Sequence, residues 1–158
     1  MLSPQEMRKL IPFMDTVHYL DNASVVPSST RVWAAMEEYG QKYPLNYGVG
    51  EFPASVEAAA KVNEARAKLA KFINAKAPEE ICFTKNTTEA INMVAYGGPW
   101  EAGDEIILTT VEHQSNIMPW LRLVQDRGVV VKFAQATKEG FVKPDAIRAL
   151  VTPKTKLI

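Results

Sequence analysis

Hydrophobic and polar positions change rhythm along the chain. Up to residue 73 the apolar residues recur mostly at helical spacing; beyond Pro78 they come in short runs. Ser3 to Leu10 reads as a short helix, with Pro4 suited to its first turn. VHYLDNAS (17–24) reads as a short strand running into a polar turn. SSTRVWAAMEEYGQKY (28–43) has helical periodicity, with Val32, Met36 and Tyr39 or Tyr43 on one side. A loop with two glycines and two prolines, PLNYGVGEFP (44–53), leads to a long alanine-rich helix over Ala54 to Ile73. Its apolar positions include Val56, Ala60, Ala67 and Phe72.

The second texture is an alternation. EICFT (80–84), DEIILTT (104–110) and VVVKFA (129–134) have strand character, and the helix-like segments TTEAINMVAYG (87–97) and SNIMPWLRLVQDRG (115–128) lie between them. This order predicts an α/β fold with a mainly parallel sheet and crossover helices. KPDAIRALV (143–151) adds a helix and TKLI (155–158) begins a fourth strand. A parallel strand buried on both faces is expected to sit inside a larger sheet, so the pattern reads as part of a domain. The expected division is an N-terminal arm over residues 1–30 and a partial large domain over residues 31–158.

Composition narrows the functional classes. The chain has 158 residues, 47% hydrophobic and 23% charged, with 18 basic and 18 acidic side chains. Zero formal net charge leaves no basic field for nucleic acid or an anionic membrane. No apolar run is long enough to span a bilayer, and MLSPQEMRKL lacks the apolar core of a signal peptide. The single cysteine, Cys82, has no internal partner for a disulfide. A cytoplasmic location is the default expectation. Cys82 itself, within the run ICFT, reads as a buried structural thiol.

Two polar junctions carry the candidate chemistry. In FTKNTTEAINMVA (83–95) a strand passes into a helix across Asn86, Thr87 and Thr88. Asn86 with Glu89 has the spacing of a capping box. The same helix start also fits an anion seat built from backbone N–H groups, the helix dipole and two threonine hydroxyls. Both readings draw on the same unpaired amides. It is no Walker loop, because the glycines and the Gly-Lys pair are absent. In the second junction, Glu112-His113-Gln114-Ser115-Asn116, Ser115 or Asn116 can cap the next helix and His113 can be a hydrogen-bonded structural residue. Alternatively, the imidazole stacks on a planar ligand whose phosphate is held by Thr87 and Thr88. No second histidine or cysteine stands at metal-ligand spacing, and Ser115 lacks a nucleophile-elbow pattern. Both turns follow strands, so they are expected on one edge of the sheet, where open α/β sheets bind ligands.

Four segments resemble the class V aminotransferase family of pyridoxal-phosphate enzymes, most closely the cysteine desulfurases and selenocysteine lyases of the sulfur-mobilisation type. YLDNAS (19–24) is similar to the family's Tyr-Leu-Asp-Asn-Ala-Ala. FTKNTTEAIN (83–92) is similar to its Phe-Thr-Arg-Gly-Thr-Thr-Glu-Ala-Ile-Asn. EHQSNIMPW (112–120) is similar to Glu-His-His-Ser-Asn-Ile-Val-Pro-Trp, and TPKTKLI (152–158) to the stretch entering the next core strand. The resemblance implies the N-terminal part of the fold type I large domain and pyridoxal 5'-phosphate as cofactor. It implies that His113 stacks on the pyridine ring and assists proton transfer, as the catalytic residue of this segment. Asn86, Thr87 and Thr88 would form the phosphate turn, Asn22 and Ala23 would lie near the substrate's amino-acid end, and Asn116 would shape its turn.

Departures from the pattern are equally specific. Asn86 stands for the usual glycine, Gln114 for a second histidine, and NYGVGEFPAS (46–55) for the family's usual loop. The aspartate facing the pyridine nitrogen, the Schiff-base lysine and the persulfide-forming cysteine have no counterpart in these residues. Lys85, just before the phosphate turn, is expected to point away. The resemblance therefore implies half of a split desulfurase. A complementary C-terminal polypeptide would carry lysine and cysteine, two such heterodimers would associate, and L-cysteine would yield alanine and a persulfide for a sulfur-acceptor protein, as in iron–sulfur cluster assembly. The alternatives are a catalytically inactive truncated paralogue that binds a partner, and another class V activity.

Overall fold

A computed structural model of the chain describes residues 3–48 and 51–158. The loop 46–55, expected to differ from the family's, thus contains Val49 and Gly50, which lie outside the described residues. Backbone contacts divide the chain into two units, Met1–Cys82 and Phe83–Ile158.

The first unit is helical. Helix α1 (Pro4–Leu10) starts at Ser3, which makes a full capping box with Glu6. Helix α2 (Thr30–Lys42) and helix α3 (Pro53–Phe72) follow. The expected strand in 17–24 does not form. Residues 17–20 carry no regular structure and Asp21 opens a turn through Asn22 and Ala23. The Tyr19 hydroxyl bridges that turn, donating toward the carbonyls of Asp21 (3.1 Å) and Val25 (2.7 Å). A β-propensity run becomes a strand only with a partner backbone, and this one has none among the described residues.

The α2 stripe is real but solvent-facing: Val32, Met36 and Tyr39 are all exposed, and Tyr43, just past the helix, is buried. In α3 the inward stripe is not the one its apolar residues suggested. Val56, Ala60, Ala67 and Phe72 are exposed, whereas Ser55, Ala58 and Ala70 are buried. Ser55 tolerates burial because its hydroxyl donates to the Asn46 carbonyl at 2.8 Å.

The second unit follows the predicted alternation: α4 (Thr87–Gly97), β1 (Glu105–Thr109), α5 (Met118–Arg127), β2 (Val130–Ala134), α6 (Pro144–Arg148) and β3 (Thr155–Leu157). The three strands are parallel in the order β2–β1–β3, with Glu105 opposite both Val130 and Thr155. The expected strand over 80–84 is absent. Ile81 is extended, but residues 81–84 join no ladder among the described residues. Cys82, read as buried, is exposed, because no neighbouring strand covers that segment.

Central β1 is buried along Ile106, Ile107 and Leu108, the continuous apolar run of a strand covered on both faces. Ala95, Ile106, Leu108, Trp120, Leu123 and Val129 form the core. Trp100 meets Trp120 edge to face at 5.7 Å. Helix α5 ends at Gly128, whose φ of 71° is left-handed, a conformation that glycine adopts without steric cost. At the opposite end of the sheet from the candidate turns, Glu105 receives Lys132 Nζ at 2.6 Å and the Thr152 hydroxyl at 2.6 Å. No described helix is long and apolar enough to cross a membrane.

Candidate functional site

Asn86 adopts an extended backbone and caps α4: its Oδ1 accepts the Glu89 N–H at 2.9 Å. This capping conformation explains why asparagine serves where the family pattern has glycine. The reciprocal half of the box is displaced by one residue. Glu89 Oε2 accepts the N–H of Lys85 at 2.6 Å rather than that of Asn86. The N–H groups of Thr87 and Thr88 have no hydrogen-bond partner among the described residues. Two unpaired donors at the positive end of an eleven-residue helix are the kind of geometry that can receive an anion. The Lys85 side chain is 87% exposed, with its ammonium 3.9 Å from Glu89.

The second turn begins where β1 ends. His113 caps a single 3₁₀ turn, Gln114–Asn116, with its own ring: Nδ1 accepts the Ser115 N–H at 3.2 Å and lies 2.8 Å from the Ser115 hydroxyl. Glu112 fastens this turn at both ends. Its Oε1 accepts from the Thr109 hydroxyl (2.8 Å) and its Oε2 from the Asn116 amide (3.0 Å). Asn116 Oδ1 in turn accepts the Trp120 indole N–H at 3.1 Å. The chain of bonds runs from the end of a strand to a buried tryptophan, so the position of His113 is set by the core. Asn116 shapes the turn in this concrete sense.

Thr88 and His113 line one cleft of about 500 Å³, together with Asn92, Tyr96, Gln114 and Arg122 among others. Thr87 and Asn86 stand at the same helix start but do not line it. Asn22 and Ala23 are exposed in the turn of the first unit. Asn92, Tyr96 and Arg122 were not singled out from sequence. For the first two a signal existed, since Thr88, Asn92 and Tyr96 recur every four residues along one helix face. Arg122 is paired with Asp126 at 2.8 Å, and this carboxylate raises the guanidinium's already high pKa. Among the described residues no group of three His, Cys, Asp or Glu side chains is placed to hold a metal ion. The arrangement can hold an anionic group at the helix start and present an imidazole beside it.

Known proteins with this architecture agree on its family. A probable cysteine desulfurase of Methanothermobacter thermautotrophicus is 43% identical over 98% of this chain, and the chain spans 38% of that relative's length. The structure of a cysteine desulfurase from Thermococcus onnurineus superposes with a TM-score of 0.84 at 38% identity, over 94% of this chain and 38% of that one. A variant of C-DES, solved with glycine covalently linked to its pyridoxal-phosphate cofactor, shares the fold with a TM-score of 0.72 at 24% identity, over 95% and 39% of the two chains. The fold is the N-terminal part of the fold type I large domain. With the sequence pattern of the class V aminotransferases matched across residues 18–158, the chain belongs to the class V aminotransferase family.

Proposed function

We propose that this chain supplies part of the cofactor pocket of a pyridoxal 5'-phosphate-dependent cysteine desulfurase, working with a second polypeptide. The observation that carries the reading is the shared cleft of Thr88 and His113, beside two unpaired N–H groups at the start of α4. Those donors and the threonine hydroxyls fit a phosphate monoester, and the dipole of α4 favours its charge. When bound, the cofactor acts as an electron sink for bonds at the amino acid's α-carbon. His113 would cover the cofactor ring and assist proton transfer through a hydrogen bond from Nε2, the ring nitrogen not engaged by its own turn. The network of Glu112, Asn116 and Trp120 keeps that imidazole from following solvent motion. In this division residues 1–30 are an arm and residues 31–158 part of the large domain.

The complementary polypeptide contributes the cofactor-binding lysine, the aspartate for the pyridine nitrogen and the thiolate that takes sulfur from L-cysteine, releasing alanine. Supporting this, the cleft that Thr88 and His113 line holds no lysine and no cysteine among the described residues. Association of two such pairs, delivery of the persulfide to a sulfur acceptor and a cytoplasmic setting follow from the same reading.

Purification of the chain from its source, with native mass and absorbance recorded on one sample, tests it. A mass that includes a second polypeptide, a visible cofactor band and alanine release from cysteine are expected. A lone chain without the band replaces this reading with a binding or regulatory paralogue. A complex with the band that releases no alanine from cysteine points to another class V activity.

A further inference from the structure

The geometry points to Ser115 as a positioning residue that holds neutral His113 in the tautomer carrying its proton on Nε2. A backbone N–H can only donate, and that of Ser115 is directed at Nδ1 from 3.2 Å. A proton on Nδ1 would set two N–H groups against each other, so Nδ1 is the acceptor. The Ser115 hydroxyl, 2.8 Å from the same nitrogen, adds a second donor to that lone pair. No hydrogen bond engages Nε2 among the described residues, and His113 lines the cleft. In a neutral imidazole with Nδ1 as acceptor, the proton resides on Nε2. The nitrogen left for a ligand is therefore a donor.

The consequence for chemistry rests on the proposed cofactor reading. A ring held this way donates a hydrogen bond from Nε2 to an oxygen in the cleft. It does not release that proton outright, because the donors on Nδ1 oppose the second proton without which an imidazolate would be left. It cannot accept a proton at Nε2 until that position has been emptied. Ser115 thus biases His113 toward the role of a neutral hydrogen-bond donor, and the residue acts entirely through the imidazole.

Long-range ¹H–¹⁵N correlation spectra of the ¹⁵N-labelled full chain, without cofactor, read the tautomer directly. Comparison with His113→Gln separates the His113 signals from those of His18. The expected wild-type spectrum is that of the Nε2–H form. Ser115→Ala keeps the backbone donor but removes the hydroxyl, and should raise the Nδ1–H share about two- to tenfold, the weight of one neutral hydrogen bond. Ser115→Thr should restore the wild-type ratio. A wild-type ring protonated on Nδ1, or a ratio unchanged in Ser115→Ala, overturns the assignment. Because the measurement needs neither cofactor nor partner, its failure leaves the desulfurase reading standing. Failure of that reading likewise leaves the tautomer assignment standing.

Discussion

The indole N–H of Trp120 donates to Oδ1 of Asn116 at 3.1 Å, and Trp120 is only 3% exposed. This bond fastens a polar turn to the core of the second unit. Asn116→Ala leaves a buried donor without an acceptor, a loss of about 1–3 kcal/mol. Urea unfolding followed by tryptophan fluorescence should show the midpoint move down. An unchanged midpoint would mean that the bond contributes nothing.

The cap of α4 gives a sharper contrast. Asn86→Ala should cost about 0.5–2 kcal/mol, while Asn86→Gly, the residue of the family pattern, should cost only a few tenths. Thermal unfolding of both variants measures the difference. Equal losses would show that the side-chain oxygen at 2.9 Å from the Glu89 nitrogen is not what stabilises the helix start.

Glu105 carries a pH dependence. Hydrogen bonds from Lys132 first, then Thr152, hold its carboxyl below the ordinary glutamate value. A folded-state pKa lower than the unfolded one adds stability that is present above the unfolded value and lost as pH falls through the folded one. Wild-type stability should therefore fall below about pH 4.3, the ordinary glutamate value. Glu105→Gln should flatten that part of the profile. A variant whose acid limb matches the wild type would remove Glu105 from the account.

Cofactor binding separates the two turns. In the assembled enzyme, Thr88→Ala should weaken pyridoxal 5'-phosphate binding by about 1.5–3 kcal/mol, one hydrogen bond to a charged group. His113→Ala should lower retention and turnover while costing the chain only about 0.5–1.5 kcal/mol of stability, the weight of one neutral hydrogen bond in an exposed residue's cap. Wild-type affinity in Thr88→Ala, or wild-type turnover in His113→Ala, would strike that residue from the site.

The second unit was legible because its signals are local. Ile106, Ile107 and Leu108 announce a strand buried on both faces, and Asn86 and Gly128 mark helix ends by chemistry that needs no distant partner. The segment 81–84 has the same composition as a strand. Whether it pairs depends on another backbone, about which the segment itself is silent. The inward face of α3 was not legible for a related reason: Ser55 is buried because a carbonyl nine residues away satisfies its hydroxyl. Of the site, Thr88 and His113 were readable as types in polar junctions. The role of Glu112 was not, since its two partners are identified only once β1 and α5 are placed.

The bonds of Glu112 also bear on how the turn moves. A surface loop ordinarily opens on its own, far more often than the protein unfolds. Here such an opening would break the bonds to Thr109 and Asn116 together and strip Trp120 of its acceptor. The amide protons of Asn116 and Ile117, which donate to the carbonyls of His113 and Gln114, should accordingly exchange with solvent on the timescale of the sheet. The turn that presents the imidazole belongs, in its dynamics, to the core.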